Sequence, residues 1–452
     1  MTGKNDLPGQ DAPELGVRQI HATREPKRTR YVVGCMSGTS LDGIDAALVS
    51  VQGSGLSMRA RFVRGASCSL GNAKQTLRNL AIGNTCTASE VAHAMRDLSL
   101  AHVEVIREVL SADLRADESH ELDLICVHGQ TVFHAPPVSW QLMNAAPIAA
   151  AFGVPVVHDL RAMDLACGGQ GAPITPLADW ILFRSGSRRG LSTSGERDAE
   201  SASAIINLGG FANATILTRS ETLQACSETI EVTEPMNARG PVPDHGPETV
   251  LGFDICACNQ ILDAIARARF DAPFDDGGAR ALQGKVSMLT IKPLISTLSL
   301  QRAQGRSLGT GDEAIDIFLR GTKDLSTNDA CATTCQVIGS VVAGAVLERM
   351  PSGDENIEII LAGGGARNVA LRNAIERHAR EAMRTRANAS SFIHVMTTQD
   401  LGVPIEFREA VCFAVLGALC QDRVPITLAS VTRVHPTARG TPPISGVWAY
   451  PP

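Results

Sequence analysis

One local pattern is written twice in this chain, and it limits what the chain can become. Tyr31-Val-Val-Gly-Cys-Met36 is a short apolar run that enters Ser37-Gly-Thr-Ser-Leu-Asp-Gly-Ile-Asp45 and returns through Ala46-Ala-Leu-Val-Ser-Val51. Ala204-Ile-Ile-Asn-Leu208 repeats the idea, turning at Gly209-Gly210-Phe-Ala-Asn213 and returning as Ala214-Thr-Ile-Leu217. Two apolar runs joined by small and polar turn residues read as a β-hairpin. A third glycine turn, Gly363-Gly364-Gly365, follows the apolar run Ile357–Ala362 and opens a helix through Leu371 and Ile375.

Helices interleave with these strands. Ser89–Leu110 has helical spacing, with Val91, Met95, Leu98, Leu100 and Val103 on or near one face, and a last helix covers roughly Glu406–Cys420. Leu122–Val127 reads as a buried strand ending at His128-Gly-Gln-Thr131. Chemistry-bearing residues at strand ends are what an open α/β sheet offers. The 452 residues are enough for two or three domains at roughly 150 each. Segments 185–203 and 218–248 lack a period and read as surface loops.

Composition removes several function classes. A net charge of −6 lacks the electrostatic footprint of a non-specific nucleic-acid binder, and 12 Phe, 3 Trp and 2 Tyr leave little for stacking bases. The longest apolar stretches, such as Ala145–Val157 and Ala410–Cys420, fall short of the roughly twenty residues a membrane span needs. Residues 1–29 are polar, carry both signs of charge and have no apolar signal core, so they read as a flexible tail. The 12 cysteines sit mostly in apolar runs without a paired zinc spacing, which fits a reducing, cytoplasmic setting.

Glycine turns with adjacent amides and hydroxyls can cradle phosphates, because glycine lets the backbone approach an anion closely. Gly38, Thr39 and Ser40 supply such groups, while Asp42 and Asp45 could hold Mg²⁺ directly or through water. Gly209 and Gly210 with Asn213 form a second candidate, and Gly363–Gly365 a third. Each alone is most simply a structural turn; three in one chain point to a nucleotide cleft. Neither a Walker A loop nor a dinucleotide fingerprint is present.

Two phosphate hairpins and a late glycine turn, in this order, resemble the actin-like sugar kinases. More specifically, the chain from about Tyr31 onward resembles the 1,6-anhydro-N-acetylmuramic acid kinases. The matching strings are MSGTSLDGID (36–45), HGQT (128–131), DLRAMDLACGGQGAP (159–173), NLGGFANAT (207–215), GFD with the later Asn259 and Asp263, DGGARALQGKV (276–286) and GGGARN (363–368). The fungal levoglucosan kinases are similar to the same family. The resemblance implies two actin-like, ribonuclease H-like α/β domains, about 30–160 and 161–452, with an ATP cleft between them. It implies that Gly38, Thr39, Ser40, Asp42, Gly43 and Asp45 bind the ATP phosphates, with Gly209, Gly210 and Asn213 closing from the other domain. Gly363, Gly364, Gly365 and Asn368 would lie against the adenosine. His128, Gln130, Asp159 and Arg161 would face the sugar, and Asp254 would be the catalytic carboxylate. ATP, Mg²⁺ and an anhydro sugar are the implied ligands; no nucleic acid or membrane is implied, and a homodimer is left open.

The resemblance breaks at three places. The family continues GFD with Thr-Gly-Pro-Gly-Asn, where this chain has Ile255-Cys256-Ala257-Cys258-Asn259. An arginine of the family's Thr-Gly-Arg-Glu stretch is replaced by Asp312, and Gln-Ile-Gly-Asn-Pro by Gln141-Leu-Met-Asn-Ala145. These changes predict added bulk at the start of an active-site helix and a reversed charge near substrate. Read singly, Asp254 could be a helix N-cap, His128 a satisfied core histidine, Asp159 and Asp164 structural partners of Arg161, and Arg367 a solvated cation. A nucleotide-binding protein without turnover and an ordinary hexose kinase are the rival functions.

Overall fold

The computed structural model describes residues 28–38, 41–111, 121–184, 202–218, 250–303, 308, 312–350, 356–386 and 392–452. Its strands form two sheets. The first contains β1 (Arg30–Ser37), β2 (Ile44–Gln52), β3 (Arg59–Cys68), β4 (Leu122–Ala135), β5 (Val138–Leu142), β6 (Val156–His158) and, from the far end of the chain, β12 (Val447–Ala449). The second contains β7 (Ala202–Leu208), β8 (Phe211–Leu217), β9 (Val250–Ala257), β10 (Asn356–Ala362) and β11 (Phe392–Thr397).

The two sheets repeat one plan. In the first, β1, β2 and β3 form an antiparallel meander, and β4 then β6 add in parallel on the other side of β1. In the second, β7, β8 and β9 form the meander, and β10 then β11 add in parallel beside β7. Both glycine-turn hairpins are thus the opening strands of equivalent sheets. This is the doubled ribonuclease H-like, actin-like fold. Segments 1–27, 185–201 and 219–249, with the expected tail and most of both expected loops, lie outside the described residues.

Alternation along the strands explains how the sheets stack. Val32 and Val33 are both fully buried, one on each face of β1, as expected of a strand covered on both sides. Val33 joins the core made with helix Ala88–Ser111, while Val32 joins a core that also contains Ile205 of β7 and Ile360 of β10. That shared core is built around helices Pro176–Phe183 and Arg408–Gln421, which lie between the sheets. The expected face of Ala88–Ser111 holds except at Leu100, which is 39% exposed.

Helix Arg408–Gln421 approaches the first sheet closely at two glycines. A Cβ on Gly34 would sit 2.0 Å from the Ala410 carbonyl oxygen, and one on Gly417 would sit 2.5 Å from the Cβ of Cys126. The start of this helix is tied by a buried network. Arg408 Nε donates to Asp179 Oδ1 at 3.0 Å, and its Nη2 donates to Asp179 Oδ2 and to Thr175 Oγ1. Thr215 Oγ1, on β8, donates to Asp179 Oδ2 at 2.6 Å, so the network reaches the second sheet.

Two expectations are corrected here. The strand carrying HGQT does not end at His128: β4 continues to Ala135 and turns back as β5. The expectation of no span-length apolar segment also fails by composition. Helix Thr327–Leu347 is 21 residues long and its most apolar 18-residue window has mean hydropathy 1.7, but 83% of that window is buried inside the protein. It belongs to the second sheet's core, together with Ile206, Ile255 and Leu361.

Arg408 is 1% exposed and Asp179 fully buried, so removing one partner strands a charge in the interior. Asp179→Ala is expected to cost about 3–5 kcal/mol of stability in urea unfolding. A loss below about 1 kcal/mol, the range of a surface pair, would contradict a buried network.

Candidate active site

The first hairpin turn is closed by the Leu41 N–H donating to the Gly38 carbonyl at 3.1 Å, with Leu41 in the left-handed region at φ 58°. The side-chain amide of Gln130 donates to the same carbonyl at 3.1 Å. Thr39 and Ser40 lie outside the described residues. Asp42 is exposed, whereas Asp45 is partly buried at the start of β2 and accepts from Ser67 Oγ at 2.6 Å. Burial raises the Asp45 pKa, and the nearby Glu406 and Asp42 raise it further against the Ser67 bond.

The second hairpin meets a helix start. Gly210 and Gly209 offer their carbonyls to the N–H groups of Cys258 and Asn259 at 2.8 and 3.0 Å, anchoring helix Asn259–Phe270. The third turn packs on the same place: Gly363 has φ +78°, and a Cβ there would lie 2.8 Å from both Asn207 Oδ1 and the Leu208 carbonyl. A side chain is thus excluded by space as well as by backbone conformation. Asn368, expected against adenosine, is 8% exposed, and its Oδ1 accepts from the Leu371 N–H at 3.0 Å as the cap of the next helix.

Asp254 lies in β9, four residues before the helix cap at Cys258, which removes the N-cap reading. A bulge lets Asn213 pair with Asp254 while the preceding Ala212 pairs with Cys256, so Ile255 is the extra residue. Directly paired residues put their side chains on one face, and bulges re-aim side chains. Here the bulge turns both Ile255 and Cys256 into the core and leaves Asp254 partly accessible beside Asn213. Asp254 Oδ2 accepts from the Leu308 N–H at 2.8 Å.

From the first sheet's side, Arg161 stands within electrostatic reach of Asp254, Glu409, Asp159 and Asp164. Burial lowers its pKa and these carboxylates oppose the shift. Its guanidinium donates through Nε and Nη2 to His128 Nε2 at 3.2 and 3.0 Å. His128 is only 3% exposed and is held on Arg161. Gln130 is fully buried on the hairpin carbonyl. Asp159, at φ 48°, accepts from the Ala162 N–H at 3.3 Å and caps the short helix Ala162–Ala166. Asp164 is fully buried, accepting from the Gly171 N–H and from Thr432 Oγ1, each at 2.7 Å.

The feared intrusion at residues 256–258 does not occur. Cys256 and Cys258 are both fully buried among core side chains, and burial pushes the Cys258 thiol well above its ordinary range. Arg367 is paired with Glu406 at 2.9 Å rather than simply solvated. Gly309–Gly311 lie outside the described residues, and the Asp312 carbonyl accepts from the Gln301 side-chain amide.

Sequence reasoning missed two carboxylates. Glu409, in the first turn of helix Arg408–Gln421, is hydrogen-bonded to Asn207 and lies within electrostatic reach of Asp45 and Arg161. Burial raises its pKa, and Asp45 adds to the shift. Asp263, on helix Asn259–Phe270, is raised to about 6 by burial, with Asp42 adding and Arg267 opposing. In sequence, Glu409 looks like an ordinary acidic residue at a helix start. Asp263 belongs to the matching string that follows GFD, which by itself assigns it no role.

Two sheets thus direct glycine turns, a bulge-presented carboxylate and a half-buried arginine to one place. The sequence profile of the family described as anhydro-N-acetylmuramic acid kinase matches residues 30–226 and 243–439. The chain belongs to the anhydro-N-acetylmuramic acid kinase family. It is 32% identical to the anhydro-N-acetylmuramic acid kinase of Salinibacter ruber (strain DSM 13855 / M31), across 89% of this chain and 93% of that protein. It is 34% identical to the corresponding kinase of Synechococcus sp. (strain CC9605), across 89% and 96%. Among solved structures, it is similar to the activator of the 2-hydroxyisocaproyl-CoA dehydratase from Clostridium difficile with bound ADPNP. There the identity is 11%, the TM-score 0.39, and the coverage 86% of this chain and 94% of that one. As a member of this family the chain is a sugar kinase, a phosphotransferase that phosphorylates anhydro-N-acetylmuramic acid with ATP.

The raised pKa of Asp263 has a consequence for stability. A carboxyl with an elevated folded-state pKa contributes stability below its unfolded value near 3.8, and that contribution is lost as pH rises through about 6. Without nucleotide, Asp263→Asn should match the parent's melting temperature near pH 3.5 and exceed it increasingly up to pH 7. A parent-minus-variant difference that stays flat across this range would contradict the buried, acid-facing setting of Asp263.

Proposed function

We propose that Asp254 is the general base of the reaction and that the two hairpins hold the nucleotide whose γ-phosphate receives O6 of the sugar. The observation that supports this most directly is the bulge in β9. It sets Asp254 opposite Asn213 of the second hairpin, with Arg161 arriving from the other side. A base, a phosphate turn and a cation then share one site. Residues 30–160 and 161–452 are proposed as the two domains, with helix Arg408–Gln421 and β12 returning to the first.

The chemistry follows from the substrate. In a 1,6-anhydro sugar, C1 is an acetal carbon and O6 is its leaving group. Asp254 takes a proton from a water that attacks C1, as the base does in inverting glycoside hydrolysis. The C1–O6 bond breaks, and O6 forms its new bond to the γ-phosphorus while ADP leaves. The products are N-acetylmuramic acid 6-phosphate and ADP. Phosphoryl transfer asks for positioning and electrostatic stabilisation, which the hairpin amides and Arg161 are placed to give.

Asp45 and Glu409 each have a raised pKa: Asp45 adds to the shift of Glu409, and Glu406 and Asp42 add to that of Asp45. Such repulsion suits a bound cation. Mg²⁺ beside phosphates usually takes one or two carboxylates and completes its shell with water and phosphate oxygens. Asp42 and Asp45 would hold a Mg²⁺ carried with ATP, directly or through water, and that ion would neutralise phosphate charge. A cytoplasmic location fits the substrates; neither nucleic acid nor a membrane is required.

Purified protein should release ADP only when anhydro-N-acetylmuramic acid is present. Asp254→Asn should lower that rate by about 10²–10⁴-fold while MgATP still binds, and ¹⁸O from labelled water should appear at C1 of the product. Label absent from C1 would mean that Asp254 deprotonates a sugar hydroxyl. ATP binding with no sugar-dependent release would favour a non-catalytic homologue; release with levoglucosan alone would move the substrate.

A further inference from the structure

We infer that His128 is a positioning residue for this reaction, a neutral buried imidazole that fixes the Arg161 guanidinium within the cleft. The inference rests on the reading of the Arg161–Asp254 region as the active site. Its warrant is the hydrogen-bond inventory around the ring. Arginine offers donors only, and both Arg161 Nε and Nη2 point at His128 Nε2, at 3.2 and 3.0 Å. That nitrogen must therefore carry a lone pair. Nδ1 stands 2.7 Å from the Gly129 carbonyl, which can only accept, so the ring proton sits on Nδ1.

The imidazole is itself held on three sides. The Gly129 carbonyl is gripped a second time by Ser37 Oγ, at 3.2 Å, which links it to the end of β1. Gly129 has φ +80° and a Cβ there would press within 3.2 Å of Met143 and the Leu142 carbonyl, so the peptide that receives Nδ1–H is itself tightly placed. Phe413 of helix Arg408–Gln421 packs on the ring at 4.8 Å, tilted by 55°. Two bonds to a single acceptor fix both the position and the rotation of the guanidinium. They consume two of its five N–H donors, and the other three remain for the carboxylates around it and for the substrate.

This arrangement answers a problem that a cleft arginine poses. With Asp254, Glu409, Asp159 and Asp164 all in electrostatic reach, an unanchored guanidinium could settle against any of them. His128 adds no charge to the cleft and selects one position. It is 3% exposed, and its ring nitrogens meet Arg161 and the Gly129 carbonyl. It acts through Arg161.

The test separates this coupling from the site reading beneath it. His128→Phe keeps a flat ring but removes the acceptor. It is expected to lower kcat for anhydro-N-acetylmuramic acid by about 10–100-fold, as small misplacements of reacting groups do, and to leave MgATP binding unchanged. His128→Gln can place its amide oxygen near the Nε2 position and should recover most of the loss; His128→Asn, with its oxygen nearer Nδ1, should not. In an Arg161→Met background, His128→Phe should cost less than about twofold further, the non-additivity expected of residues acting as a unit. Additive losses, wild-type kcat in His128→Phe, or Asn and Gln behaving alike would each overturn the positioning role. Wild-type turnover in Arg161→Met alone would overturn the site reading and this inference together. If His128→Phe does not fold, the Gln and Asn pair decides the question.

Discussion

The close seating of helix Arg408–Gln421 on the first sheet is the constraint on which the site depends. Gly34 and Gly417 permit it at two points of close approach, and the buried Arg408–Asp179 pair secures its first turn. The next residue is Glu409, within reach of Asp45 and Arg161, and one turn on is Phe413 against His128. A single helix therefore sets a carboxylate and the packing of an imidazole at once. The same helix lies in the core shared with the second sheet, which carries Asp254. Geometry at the cleft is decided by packing beneath it.

Much of the fold was legible because its signals are local. A strand, a turn of small polar residues and a returning strand can be read in any order-preserving stretch, and both hairpins formed where Tyr31–Val51 and Ala204–Leu217 placed them. What failed was non-local. Leu122–Val127 gives no sign that β4 continues through Gly129, since a glycine in the left-handed region ordinarily ends a strand; pairing with β5 carries it on. Helix Thr327–Leu347 escaped notice because Thr, Ser and Gly interrupt its apolar residues, and only its burial shows that these small side chains pack.

The site was legible as a set of motifs but not as a set of roles. Family resemblance named His128 and Gln130 as sugar-facing, yet whether a polar side chain meets solvent depends on partners far along the chain. For His128 the partner is Arg161, and for Gln130 it is the Gly38 carbonyl. The replacement of glycines by Cys256 and Cys258 looked like bulk entering the cleft. The bulge at Ile255 shows where that bulk goes, because one extra residue changes which side chains face the core. No periodicity announces a bulge, and one residue of register separates a cleft carboxylate from a core position.

The placement of Asp254 and Arg161 on opposite sides of the cleft has a consequence for timing. Asp254 belongs to β9 and is tied through Asn213 to the second hairpin, whereas Arg161 follows β6 of the first sheet. A relative displacement of the two sheets would alter their separation while leaving the base and its own hairpin in register. Under the proposed roles of Asp254 and Arg161, base and counter-charge would come together only when both halves of the protein have converged on one occupant. An anhydro bond cut without a phosphoryl donor in place would release O6 from C1 with no γ-phosphorus to capture it. Splitting the charges between the halves guards that coupling by architecture rather than by exclusion of any one ligand.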